Sequence, residues 1–240
     1  MNHALGAARI RAAIDEVQAL RQLSAQRPEL RVAVHQIKTF QCARFASSYG
    51  DLLAQPVFAP ACTFFLQELY SAKDFEQRDA EFSRIAGAME RLFPQSIVAI
   101  AVALAELHFL TEHLDMQMAA ALASEVASLD NAPLSEALYR TAWKHVGVID
   151  KRQQQLNSVL ELGQGLQSAV RLPGIRFTLR AMRGPAKAAK LAHLQAFLEI
   201  GFDTFADLAR VSNGVEQFLD TVQTRETLWI RDMSCDHQQS

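Results

Sequence analysis

Apolar side chains recur every three to four positions along almost the whole chain. Over 4–26, Ile10, Ala13, Ile14, Val17, Leu20 and Leu23 fall on one side with arginines opposite, and Pro28 closes the run. Only an α-helix gathers such a spacing into one buried stripe. A second helix is predicted over 29–54 from Val34, Ile37, Cys42, Phe45, Tyr49, Leu52 and Leu53, and Pro56 and Pro60 punctuate the turn after it. A compact apolar helix follows over 61–70. Asp74 reads as the N-cap of the next, which runs to about 93, with Glu76 in its first turn. Pro94 opens a helix reaching about 128, and Asp130, Asn131 and Pro133 form the clearest break. One long helix is predicted over 135–171. Its stripe (Ala142, Val146, Ile149, Leu156, Leu160, Val170) is interrupted at Lys151 to Gln155, which reads as an exposed waist, and Gly163 and Gly165 read as a kink. Pro173-Gly174 ends it. Helices over 175–183, 185–211 and 214–233 complete the chain, with Gly184-Pro185 between the first two.

Strand signals are nearly absent, and no fixed-period repeat is visible. The pattern predicts an all-α, single-domain bundle of about nine helices around one long central helix. A division into lobes at 1–129 and 134–233 is the alternative, and 234–240 reads as a frayed tail.

Composition narrows the class. Half of the 240 residues are hydrophobic and 21% are charged, enough apolar surface for a core without metals or disulfides. A net charge of −2 gives no general attraction to nucleic acid. Cys42, Cys62 and Cys235 are odd in number and lack CxxC spacing, against a disulfide framework or a zinc site. Arg9 and Arg11 follow too short an apolar segment for a secretory signal. The most apolar window, 97–110, is interrupted or followed by Glu106, His108, Glu112, His113 and Asp115, and reads as too short to span a bilayer. A cytoplasmic location is the expectation.

The segment Phe64-Phe65-Leu66-Gln67-Glu68-Leu69-Tyr70, followed by Asp74-Phe75-Glu76-Gln77-Arg78-Asp79-Ala80, resembles a family of uncharacterised proteobacterial proteins marked by FF-x-x-LY and then DF-x-x-RDA. Ala105-Glu106-Leu107-His108, Leu114-Asp115 and Arg180-Ala181-Met182-Arg183-Gly184-Pro185-Ala186 are similar to the same family, so the likeness spans roughly 44–226. It implies no activity, cofactor or catalytic residue. The chain departs from the family at Ser71-Ala72-Lys73, where a Gly-Pro-like turn is expected.

Three groups of residues carry candidate chemistry. His108, Glu112 and Asp115 fall at i, i+4 and i+7 of one predicted helix and share a face, while Glu106 and His113 share another. A histidine with carboxylates one turn away suits metal ligation or a general-base pair. Neither the Glu-x-x-His of di-iron bundles nor HExxH is present, so a solvated border is the plainer reading. The second group is basic. Between Glu161 and Glu199 no acid occurs, whereas Arg171, Arg176, Arg180, Arg183, Lys187 and Lys190 do, leaving the rest of the chain about −8 against a total of −2. On a continuous helix Arg176, Arg180, Arg183, Lys187 and Lys190 would line one face, suited to a phosphate, an acidic partner or an anionic membrane surface. Internal pairing with acidic helices is the plainer reading there. The third group, Tyr70, Asp74, Arg78 and Asp79, reads as a cap with a pinning salt bridge.

No nucleophile elbow, P-loop or dinucleotide fingerprint occurs, and no motif calls for a metal or a tetrapyrrole. The leading expectation is therefore a non-enzymatic helical protein acting through protein–protein contacts, with self-association. The alternatives are a small-molecule, metal or tetrapyrrole site near His108, and anion or membrane-surface binding through 171–190.

Overall fold

The computed structural model describes residues 4–68, 73, 75–127 and 133–235. Tyr70, Asp74, Asp130 and Asn131, to which the sequence assigned a polar cluster, a cap and a break, lie outside the described residues. Among the described residues the fold is all-α, with no strand and twelve helical segments. These are α1 (Ala4–Ala25), α2 (Pro28–Ser48), α3 (Gly50–Leu53), α4 (Ala59–Glu68), α5 (Glu76–Leu92), α6 (Gln95–Ala127), α7 (Glu136–Val146), α8 (Ile149–Val170), α9 (Ile175–Ala181), α10 (Arg183–Ala188), α11 (Ala192–Leu208) and α12 (Gly214–Ser234).

The long helix is α6, of 33 residues, and α1, α2, α5, α7 and α8 all pack against it. Its Gln95–Ala123 portion is long and apolar enough to cross a membrane by length and composition alone. This corrects the sequence expectation of too short a window. Within the fold, however, Glu106, His108, Glu112 and Asp115 of that portion meet partners on α1, α2 and α5, as described below.

One apolar core runs from Ala7 on α1 to Met233 on α12. On α1, Ala7, Ile10, Ala13, Ile14 and Val17 are buried at the three-to-four spacing read from the sequence. Phe45, Tyr49, Phe65 and Phe218 stack or meet edge-on at the centre. The three cysteines are unpaired.

Two corrections concern helix ends. The helix predicted over 135–171 is two: α7 begins with the Ser135 hydroxyl accepting from the Leu138 amide at 3.3 Å and ends at Gly147, whose φ of 63° is left-handed. Gly163 produces no break in α8. It is a close-packing point, where a Cβ would stand 2.5 Å from Leu219 Cδ2 of α12. The helix predicted over 185–211 also divides, with Lys190 at φ 56° between α10 and α11. The start of α11 is capped from another helix: Glu81 of α5, 2% exposed, accepts from the Leu194 amide at 2.8 Å and lies 3.0 Å from His193 Nδ1.

Candidate functional site

The face shared by His108, Glu112 and Asp115 does not gather one site, because α6 is surrounded and each residue reaches a different neighbour. Glu112 pairs with Lys38 of α2. Asp115 accepts from Gln41 Nε2 of α2 at 2.9 Å. On the other face, Glu106 accepts a two-pronged bond from Arg9 of α1, both contacts at 2.8 Å, and the His113 ring tilts against Phe109. Among the described residues no three histidines, cysteines or acids are placed to hold a metal.

His108 itself turns inward. Its Nε2 lies 2.8 Å from Oδ2 of Asp79, a carboxylate of α5 that is 1% exposed. Arg21 of α1 donates to the same oxygen at 2.6 Å, and Arg78 Nε reaches Oδ1 at 3.4 Å. Burial alone would raise the Asp79 carboxyl. The bond from His108 and the charges of His108, Arg78 and Arg21 outweigh burial and hold it below the usual carboxylate range. An ionised carboxylate only accepts, so Nε2 carries the proton in this contact. The opposite nitrogen, Nδ1, makes no hydrogen bond to a described residue. In the neutral ring it is an acceptor, open to a hydrogen bond from a hydroxyl or a water brought to Nδ1.

Arg78 completes the polar end. Its guanidinium lies 3.9 Å from the Phe75 ring centroid and 4.8 Å from that of Phe197, and it reaches Glu68 Oε2 at 3.5 Å. Burial draws this guanidinium below its usual value, against the pull of Asp79 and Glu68.

These groups border a cavity of about 40 Å³ between α4, α5, α6, α8 and α11, with Thr111 and Gln155 on its polar side. Beyond it lies an apolar chamber of about 90 Å³, reaching Ile97, Leu162, Ile175 and Phe202. Phe82, Leu104 and Phe197 stand in the walls of both. Together they approach the size of an apolar cavity of about 150 Å³ that holds one benzene. Pockets for larger ligands occupy about 300–1,000 Å³, so a tetrapyrrole does not fit between these helices as they stand.

The basic stretch runs over two short helices, α9 and α10, rather than one continuous helix. Arg176 pairs with Asp203 at 2.9 Å, and Arg183 forks onto Glu199, whose carboxyl is held below its ordinary value chiefly by that bond. Arg180, Lys187 and Lys190 are exposed, and the Lys190 carbonyl accepts from Arg84 at 2.6 Å.

Sequence spacing missed the Asp79–His108 pair because it joins helices 29 residues apart. A signal was present. Asp79 continues the stripe of Phe82, Ala86 and Met89 at 3-4-3 spacing, which places a carboxylate on the buried face of α5.

A family model described as "Domain of unknown function (DUF8198)" matches residues 20–240. No curated protein and no solved structure matches the chain.

Proposed function

The chain belongs to this family of unknown function, and on that premise we propose that it binds a compact, mainly apolar small molecule carrying one hydroxyl. The ring or short chain of the ligand occupies the apolar chamber, and its hydroxyl donates to His108 Nδ1. The observation that carries this reading is the 2.8 Å contact between His108 Nε2 and Asp79, made in the wall of the cavity that shares Phe82, Leu104 and Phe197 with the apolar chamber. That contact commits one ring nitrogen to the protein and leaves the other without a partner among the described residues, on a side chain that lines the cavity.

Phenol and benzene are the discriminating probes, since they differ by one hydroxyl. A hydrogen bond worth about 0.5–1.5 kcal/mol gives phenol roughly a 2- to 12-fold preference at this site. Calorimetric titration of the wild-type protein is expected to show that preference, and His108→Phe is expected to abolish it. Ala101→Leu, which fills the apolar chamber, should remove binding of both probes. The reading fails if phenol binds no better than benzene, or if the preference survives without the imidazole.

A further inference from the structure

A third cavity, of about 40 Å³, lies across α8 from the one beside His108, between α2, α7, α8 and α12. Its walls include Arg44, Tyr139, Trp143, Arg152, Glu226 and Trp229. Arg152 is 5% exposed, and its bonds are weak for a buried cation. Nη1 reaches Gln155 Oε1 at 3.4 Å, Nη2 points to the Met118 thioether at 2.9 Å, and the guanidinium lies 4.5 Å from the Trp143 ring centroid. A thioether is a weak acceptor, and no carboxylate comes within ion-pair distance of Arg152 among the described residues. The carboxylates nearby are engaged elsewhere. Glu226 accepts from Arg44 at 2.6 Å and from the Tyr49 hydroxyl at 2.9 Å, and Asp115 accepts from Gln41.

A buried guanidinium without an anion is costly, and the cavity beside it offers the place for one. Arg44, Arg152 and Glu226 leave the wall with one surplus positive charge. Tyr139 lines the cavity, and its hydroxyl accepts from Gln41 Nε2 at 3.1 Å and donates to no described residue. Burial holds that hydroxyl protonated, with its pKa raised. A volume of about 40 Å³ corresponds to three or four water-sized positions, the heavy-atom count of formate or acetate.

We propose that this cavity is a second binding site, for a small monocarboxylate held by the planar fork of Arg152 and the hydroxyl of Tyr139. The fork geometry favours two carboxylate oxygens over a spherical halide. The site is independent of the phenol-sized chamber and stands or falls separately from it.

The chain has two tryptophans, Trp143 and Trp229, and both stand in this wall, so its intrinsic fluorescence reports on the site directly. Sodium acetate, sodium chloride and acetamide would be titrated at constant ionic strength into wild-type protein and Arg152→Met. Acetate is expected to give a saturable change with a midpoint between about 50 μM and about 10 mM, the range open to a ligand of four heavy atoms. Acetamide, of the same shape without charge, should give none, and chloride at least tenfold weaker binding. Arg152→Met keeps length and apolar volume and should lose the acetate response. Should that variant not fold, Tyr139→Phe is expected to weaken acetate at least threefold. A linear response in wild-type protein, an equal response to acetamide or an unchanged midpoint in both variants overturns the proposal.

Discussion

Asp79 and Asp115 each expose 1% of their surface, yet their carboxyls shift in opposite directions. Asp79 meets His108, Arg21 and Arg78 and lies below the usual range. At Asp115 burial dominates: a single amide, Gln41, donates to it, Lys38 and Arg152 act only through space, and Glu112 pushes the other way, so the carboxyl is raised. Low exposure alone therefore does not fix the state of a carboxyl group. Asp79 has charged donors in direct contact, and Asp115 has one neutral amide. Around Asp79 the charges are matched within one cluster. Around Asp115 they are not, and Arg152 is left as the unmatched member.

The largest test of this contrast removes each carboxylate. Asp79→Asn strands the Arg21 guanidinium and leaves Arg78 with Glu68 alone, and should cost about 3 kcal/mol in urea unfolding at pH 7, the low end for breaking a buried pair because the Arg21 side chain is 25% exposed. Asp115→Asn keeps an acceptor for Gln41 and should change stability by less than about 1 kcal/mol. Equal losses at the two positions would erase the distinction.

A pH series sharpens it. The folded-state pKa of Asp79 lies below the ordinary carboxyl value of 3.8, so its stabilisation is complete above that value and fades as pH falls through the folded one. Asp115 has the opposite sign. Its folded-state value lies above 3.8, so it contributes stability while protonated and loses it as pH rises from 3.8 through the folded value. Each contributes at most about 1.4 kcal/mol per pH unit. Asp79→Asn should flatten the acid limb of the urea midpoint against pH, and Asp115→Asn the limb above 3.8. The smallest effect concerns the surface of the same helix. Arg9 and Glu106 make good fork geometry, but both side chains are 45% exposed, so Arg9→Ala should cost under about 1 kcal/mol and less in high salt.

Much of the fold was legible because its signal is local. The Ala4–Ala25, Gln95–Ala127 and Gly214–Ser234 helices are set by their own apolar spacing and by flanking Pro28, Pro94 and Gly214. The division at Gly147 was missed because Ala142, Val146 and Ile149 keep helical spacing across it, and only the left-handed backbone at one glycine separates α7 from α8. Arg152 was hidden in a polar run taken for an exposed waist. Lys151, Gln153 and Gln154 are indeed exposed, but Arg152 sits at 4-3-4 spacing with Leu156, Val159 and Gly163 on the inner face. Both candidate sites are thus readable as charged residues in register with an apolar stripe. Which residue each would meet was not readable, since Asp79 and His108 lie on different helices and nothing in one helix specifies its neighbour.

Gln155 touches both cavities at once. Its amide nitrogen donates to Thr111 Oγ1 at 2.8 Å on the His108 side, and its carbonyl oxygen accepts from Arg152 on the other. A primary amide has two unlike ends, and turning it over would set an N–H against the guanidinium, which only donates, whereas the Thr111 hydroxyl accepts either end. The direction of this one group is consequently dictated from the Arg152 side, and it stands as a polarised partition between the two cavities.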